Sequence, residues 1–77
     1  MFKDKTLLIT GGTGSFGKAV LDRFLNTDIG EIRIFSRDEK KQDDMRRQYQ
    51  NNKIKYYIGD VRDIASVRNA IHNVNYL

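Results

Sequence analysis

The sequence has no cysteine and a single histidine, His72. It can therefore build neither a disulfide framework nor a thiolate metal site, and one histidine does not make a zinc cluster. No apolar run approaches the roughly 18 to 20 residues needed to span a bilayer, so membrane insertion is not expected. The charged start, Met1 to Lys5, leads into only Thr6 to Ile9 before the first turn signal. It lacks the apolar segment of a secretory signal, and a cytoplasmic location is expected. Internal repeats and low-complexity segments are also missing. At 77 residues the chain is at most one small domain; a chain this short buries about 60% of the surface its unfolded form exposes, and marginal stability is expected.

Clustered positive charge is lacking too. The formal charge is +4, yet Lys40, Lys41, Arg46 and Arg47 are interleaved with Asp38, Glu39, Asp43 and Asp44. That pattern reads as a solvated, self-pairing helix face rather than a stripe for backbone phosphates, so nucleic acid is not an expected partner.

What the chain does have is regular alternation. Lys5 to Thr10 holds an apolar run of the kind buried on both faces of a sheet. From Ser15 to about Asn26, Phe16, Ala19, Val20, Phe24 and Leu25 recur at helical spacing, which predicts an amphipathic helix with those residues inward. Asn26-Thr27-Asp28 and Gly30 end it, and Glu31 to Ser36 reads as a second strand. Ser36 and Glu39 form a candidate capping box for a polar helix over Asp38 to about Gln50, where Met45 and Tyr49 offer the apolar surface. Ile54 to Ile58 predicts a third strand. Asp63 is placed as the N-cap of a helix to about His72, with Ile64, Val67, Ala70 and Ile71 inward. Val74 to Leu77 begins a fourth strand. The fold class expected from this β-α-β-α-β-α-β order is α/β, a parallel sheet in the order 3-2-1-4 with flanking helices, one half of a doubly wound Rossmann fold. Its last strand should lie at an open edge, through which two chains could self-associate.

The six glycines are unevenly spent, with four in "TGGTGSFG", Thr10 to Gly17. Strand, glycine loop and helix in that order form the setting in which backbone N–H groups and a helix N-terminus cradle a pyrophosphate. Gly11, Gly14 and Gly17 fit the tight turn, the close backbone approach and the helix packing. Thr13, Ser15 and Phe16 lie within the same loop and are candidate cofactor contacts, whereas Gly12 has no separable role. Gly17 is followed by Lys18 and Ala19, without the Gly-Lys-Ser/Thr ending of an ATP-binding loop, and kinase or ATPase chemistry is disfavoured.

TGxxGxxG after a first strand resembles the short-chain dehydrogenase/reductase superfamily. The longer match, "LLITGGTGSFGKAVLDRFL" with "IRIFSRDE" and "YYIGDVRD", is similar to its extended branch acting on nucleoside-diphosphate sugars. Within that branch, "FSRDEKKQDDMRRQY" resembles bacterial polysaccharide-biosynthesis enzymes, including inverting UDP-N-acetylglucosamine 4,6-dehydratases; related 4-epimerases share the same half-domain. The resemblance implies a UDP-sugar substrate. For a dehydratase it implies that hydride leaves sugar C4 for the cofactor, water is eliminated across C5 and C6, and hydride returns at C6; for an epimerase, hydride returns to C4 on the other face.

Charge argues the choice of cofactor. NAD sites usually carry a carboxylate at the end of the second strand, which would repel a 2′-phosphate. Here Ser36 stands in that place and Arg37 supplies a guanidinium, so NADP is expected over NAD, with Lys40 or Lys41 adding positive charge. The competing reading of Arg37 is an exposed arginine paired with Asp38. By the resemblance, Asp60 and the backbone of Val61 read the adenine edge; otherwise Asp60 simply caps its turn. Arg62 and Asp63 read as helix-start residues.

In the superfamily a Tyr-x-x-x-Lys pair transfers the proton beside the nicotinamide. Tyr49 and Lys53 have this spacing, but Asn51-Asn52 breaks the helix that it requires, and the match is read as accidental. No catalytic residue is nominated. The substrate domain and proton-transfer residues are expected beyond Leu77, and the chain alone is expected to be inert. A self-standing nucleotide-binding or self-associating module is the alternative.

Overall fold

The computed structural model describes residues 2–11 and 14–76. Three strands, β1 (Thr6–Thr10), β2 (Glu31–Ser36) and β3 (Ile54–Ile58), alternate with three helices, α1 (Ser15–Leu25), α2 (Glu39–Tyr49) and α3 (Ile64–Ile71). The strands pair in parallel, with β2 central; Ile9 lies opposite Ile34, and Ile34 opposite Tyr56. On the free side of β1, Leu7 bridges in parallel to Tyr76, and the Leu8 N–H donates to the Tyr76 carbonyl at 2.9 Å. The sheet thus has the order 3-2-1; among the described residues the fourth strand expected from Val74 onward does not form, and a single bridge at Tyr76 marks its place beside β1.

Alternation along the strands splits the interior into two layers. Leu7, Ile9, Ile32, Ile34 and Ile54 face Leu21 of α1 and Met45 of α2, while Leu8 and Phe35 face Ala70 of α3. Burial of these apolar side chains is the main force holding the helices to the sheet. Arg33, on the α3 face, donates to the Ala70 and His72 carbonyls at 2.9 and 2.6 Å, satisfying the end of that helix.

Several expectations are corrected. The buried face of α1 centres on Gly17 and Leu21, with Val20, Phe24 and Leu25 half-buried; Phe16 and Ala19 point outward. In α3, Ile64 and Ile71 are exposed and only Ala70 is fully buried, because three strands offer that short helix a narrow seat. The N-cap of α2 is Asp38, whose carboxylate accepts from the Lys41 N–H at 3.0 Å, and the Ser36 and Glu39 capping box does not form. Ser36 is instead still in β2, with its hydroxyl held by Gln42, a fully buried residue that the apolar pattern had left outside the core.

Candidate functional site

The carboxyl ends of the three strands line up because backbone bonds continue past each of them. The Gly11 N–H donates to the Phe35 carbonyl at 2.8 Å, and the Gly59 N–H to the Ser36 carbonyl at 3.0 Å. Beyond this row lies a cleft of about 320 Å³ lined by Gly11, Phe35, Ser36, Arg37, Gly59, Asp60, Val61 and Arg62. The end of a parallel sheet, where loops turn to alternate helices, is where nucleotides bind in such folds.

Two glycines are needed for shape. Gly11 has φ +63°, the left-handed region that side chains disfavour. At Gly59 a Cβ would meet Ser66 Cβ at 2.8 Å and Phe35 Cε2 at 3.0 Å, so only glycine lets the start of α3 close over the sheet. Gly14 is the N-cap of α1 and offers no side chain to the first-turn N–H groups, and the first turn holds no acidic residue. By contrast, α2 and α3 are capped by Asp38 and Asp63. The α1 N-terminus thus keeps donors and a positive dipole end suited to an anion.

Ser15 is exposed at that terminus, and Gly17 is buried. Phe16, 84% exposed, lines a separate apolar groove with Val20, Phe24 and the free side of β1. Thr13 lies outside the described residues. Ser36 and Arg37 reach the cleft, Ser36 buried and Arg37 exposed. A shallow recess beside them is lined by Asp38, Glu39 and Lys41; Lys40, on the same turn, is exposed and not among its lining residues.

Electrostatics link the two rims. Arg37 lies 3.6 Å from Asp60 and is not paired with Asp38. Asp60 accepts from the Arg62 backbone N–H at 2.9 Å and from its guanidinium at 2.8 Å. These bonds, with a smaller contribution from Arg37, hold the Asp60 carboxyl well below the usual carboxylate range. Asp60 thus does cap its turn. Sequence reasoning missed Arg62 as a cleft residue; the Asp-x-Arg spacing of that turn was the available signal.

Tyr49 and Lys53 sit far from this chemistry. Tyr49 ends α2, Gln50 adopts a left-handed conformation, and Lys53 precedes β3 at the opposite end of the sheet. Burial, and then a 2.8 Å bond donated to Asp22, push the Tyr49 phenol up to about 12, away from a proton-transfer role. A raised folded-state value means that the protonated phenol favours folding. Its contribution is complete below pH 10, the ordinary value, and is lost as pH rises through about 12. Alkaline titration followed by tyrosinate absorbance should show an ionisation near pH 12 that Tyr49→Phe abolishes.

Among the described residues no group of three or more His, Asp or Glu side chains is arranged to hold a metal ion, and no helix is long and apolar enough to cross a membrane.

Residues 7–77 match the family described as "Polysaccharide biosynthesis protein". Proteins named UDP-glucose 4-epimerase from Rickettsia rickettsii (strain Sheila Smith) and Rickettsia prowazekii (strain Madrid E) are 65% and 64% identical over 81 aligned positions, covering 100% of this chain and 24% of each relative. Pen from Bacillus thuringiensis superposes with a TM-score of 0.92 at 39% identity, over 99% of this chain and 24% of that one. A short chain dehydrogenase from Bacillus anthracis gives 0.80 at 26% identity, over 94% and 30%. The chain therefore spans about a quarter of the length of the curated relatives it matches.

Proposed function

We propose, from the premise that this chain belongs to the polysaccharide biosynthesis protein family of nucleotide-sugar epimerases and dehydratases, that its cleft binds the adenosine half of NADP for chemistry on a UDP-sugar. The observation that carries the reading is the tip of β2, where Ser36 and Arg37 line the cleft and no carboxylate occupies the place of Ser36. The residues fit the group: an uncapped helix N-terminus faces the same end of the sheet, Gly11 takes the left-handed turn, and guanidinium groups stand on both rims.

When bound, a nicotinamide cofactor supplies the hydride acceptor for sugar C4. This chain's own part is to bind and orient it. The first-turn N–H groups of α1 take the pyrophosphate, with Gly14, Ser15 and Phe16 around them. Ser36 and Arg37 take the 2′-phosphate, with Lys40 and Lys41 adding positive charge nearby. Asp60 and the Val61 backbone face the adenine, and for Asp60 to accept from the adenine amino group it must release part of its hold on Arg62.

The relatives' names support 4-epimerisation as the outcome, and the resemblance of the "FSRDEKKQDDMRRQY" segment keeps 4,6-dehydration as the second reading. Both begin by oxidising C4. Two measurements test the proposal. Adding NADP to the isotope-labelled chain should shift the amide signals of Gly11, Gly14 and Arg37 and leave those of Tyr49 and Lys53 in place; shifts confined to the far end of the sheet would refute the cleft. With a protein of the relatives' length carrying this segment, incubation with UDP-glucose and UDP-N-acetylglucosamine should give 4-epimers, while a 4-keto-6-deoxy product would establish dehydration.

A further inference from the structure

Gln42 is fully buried in the first turn of α2. Its amide nitrogen donates to the Tyr57 carbonyl at 2.9 Å and to Ser36 Oγ at 3.0 Å, and lies 3.5 Å from the Ser36 carbonyl. Its own oxygen is buried without a partner. The amide orientation follows from chemistry. Two backbone carbonyls, which only accept, lie beside the nitrogen; turning the amide over would set oxygen against both, to satisfy one hydroxyl. The unpartnered oxygen is the lesser cost.

That orientation dictates the state of Ser36. Its oxygen receives a proton from Gln42, so its single hydroxyl proton has to point elsewhere. Among the described residues nothing accepts it. Ser36 is 9% exposed, and the surfaces it lines are the cleft and the neighbouring recess.

We propose that Gln42 is a positioning residue for cofactor choice: by donating to Ser36 and Tyr57 together it turns Ser36 into a hydrogen-bond donor toward the cleft. A donor there matches a phosphate, which only accepts when ionised, better than it matches a ribose hydroxyl, which accepts and donates alike. The inference rests on the NADP reading above and adds a residue that touches no part of the cofactor.

The test compares NADP with NAD affinity in the 77-residue chain and its variants by titration calorimetry. Gln42→Met keeps the volume but removes the donor, and should reduce the preference for NADP about three- to tenfold while NAD affinity holds. Ser36→Ala should do the same, and the double variant should fall no further than Ser36→Ala alone, because both act through one hydroxyl. Gln42→Glu, with oxygens at both positions, should also lower the preference. A readout on the unaltered chain needs no variant: NADP, but not NAD, should slow exchange of the Ser36 hydroxyl proton enough to see it by proton NMR. A purely structural Gln42 would lower the melting temperature and leave the preference unchanged, and that result, or no hydroxyl signal with NADP, overturns the inference alone. Equal binding of NADP and NAD by the unaltered chain overturns the cofactor reading and the inference with it.

Discussion

Ile34→Ala should lower stability by about 2 to 5 kcal/mol, the range for emptying a buried aliphatic site. Ile34 is fully buried in the central strand, opposite Ile9 and Tyr56, and belongs to the layer that joins α1 and α2 to the sheet. Removing its outer carbons leaves a cavity that neighbours pinned by strand register fill only in part. At about 0.05 to 0.15 kcal/mol per residue, a chain of 77 residues holds only about 4 to 12 kcal/mol in total, so the loss takes a large share of it. Ile64→Ala is the matched control. Read from helical spacing it is a core substitution; with Ile64 67% exposed it should cost no more than about 0.5 kcal/mol. Urea unfolding measures both, and similar losses at the two positions would contradict the packing described.

Arg37→Glu should weaken NADP binding by roughly ten- to a hundredfold, the equivalent of about 1.5 to 3 kcal/mol for a hydrogen bond to a charged group. Arg37 is exposed at the cleft rim, and its carboxylate neighbour is Asp60 at 3.6 Å. It is therefore a loosely held cation that a phosphate can recruit. The substitution removes that cation and sets a second negative charge beside Asp60. NAD, which has no 2′-phosphate, should bind the variant within about twofold of the unaltered chain. Parallel loss of both cofactors would place Arg37 in folding or in pyrophosphate binding instead.

How far the sequence reveals this arrangement depends on the kind of interaction involved. The strands were legible because short apolar runs between turn signals have few alternatives, and β2 runs from Glu31 to Ser36 as read. The helices were legible in extent but not in facing. Apolar residues cover more than one side of α1, and the side that is buried is set by the position of the sheet, which spacing cannot locate; hence Leu21 was missed and Phe16 and Ala19 were turned inward. Gln42 escapes an apolar pattern because its side chain is polar, although it is fully buried. Its position three residues before Met45 and seven before Tyr49, on one helical face, was the available signal. The cleft was legible as a glycine loop and a serine-arginine tip, but Arg62 was not, since its place depends on a turn built around Asp60.

The bridge at Tyr76 leaves β1 with a lightly covered side, and the apolar groove there, lined by Phe2, Phe16, Val20 and Phe24, is continuous with the place of the fourth strand. This bears on whether chains self-associate, and any affinity measurement should be paired with a determination of size in solution.

On the proposed reading, the tip of β2 selects a 2′-phosphate. Calorimetric titration of the unaltered chain with NADP and with NAD, at the same ionic strength, tests it most directly. NADP should bind tighter by about tenfold or more, with the difference shrinking as salt is raised. Equal affinities, or a preference for NAD, would contradict it.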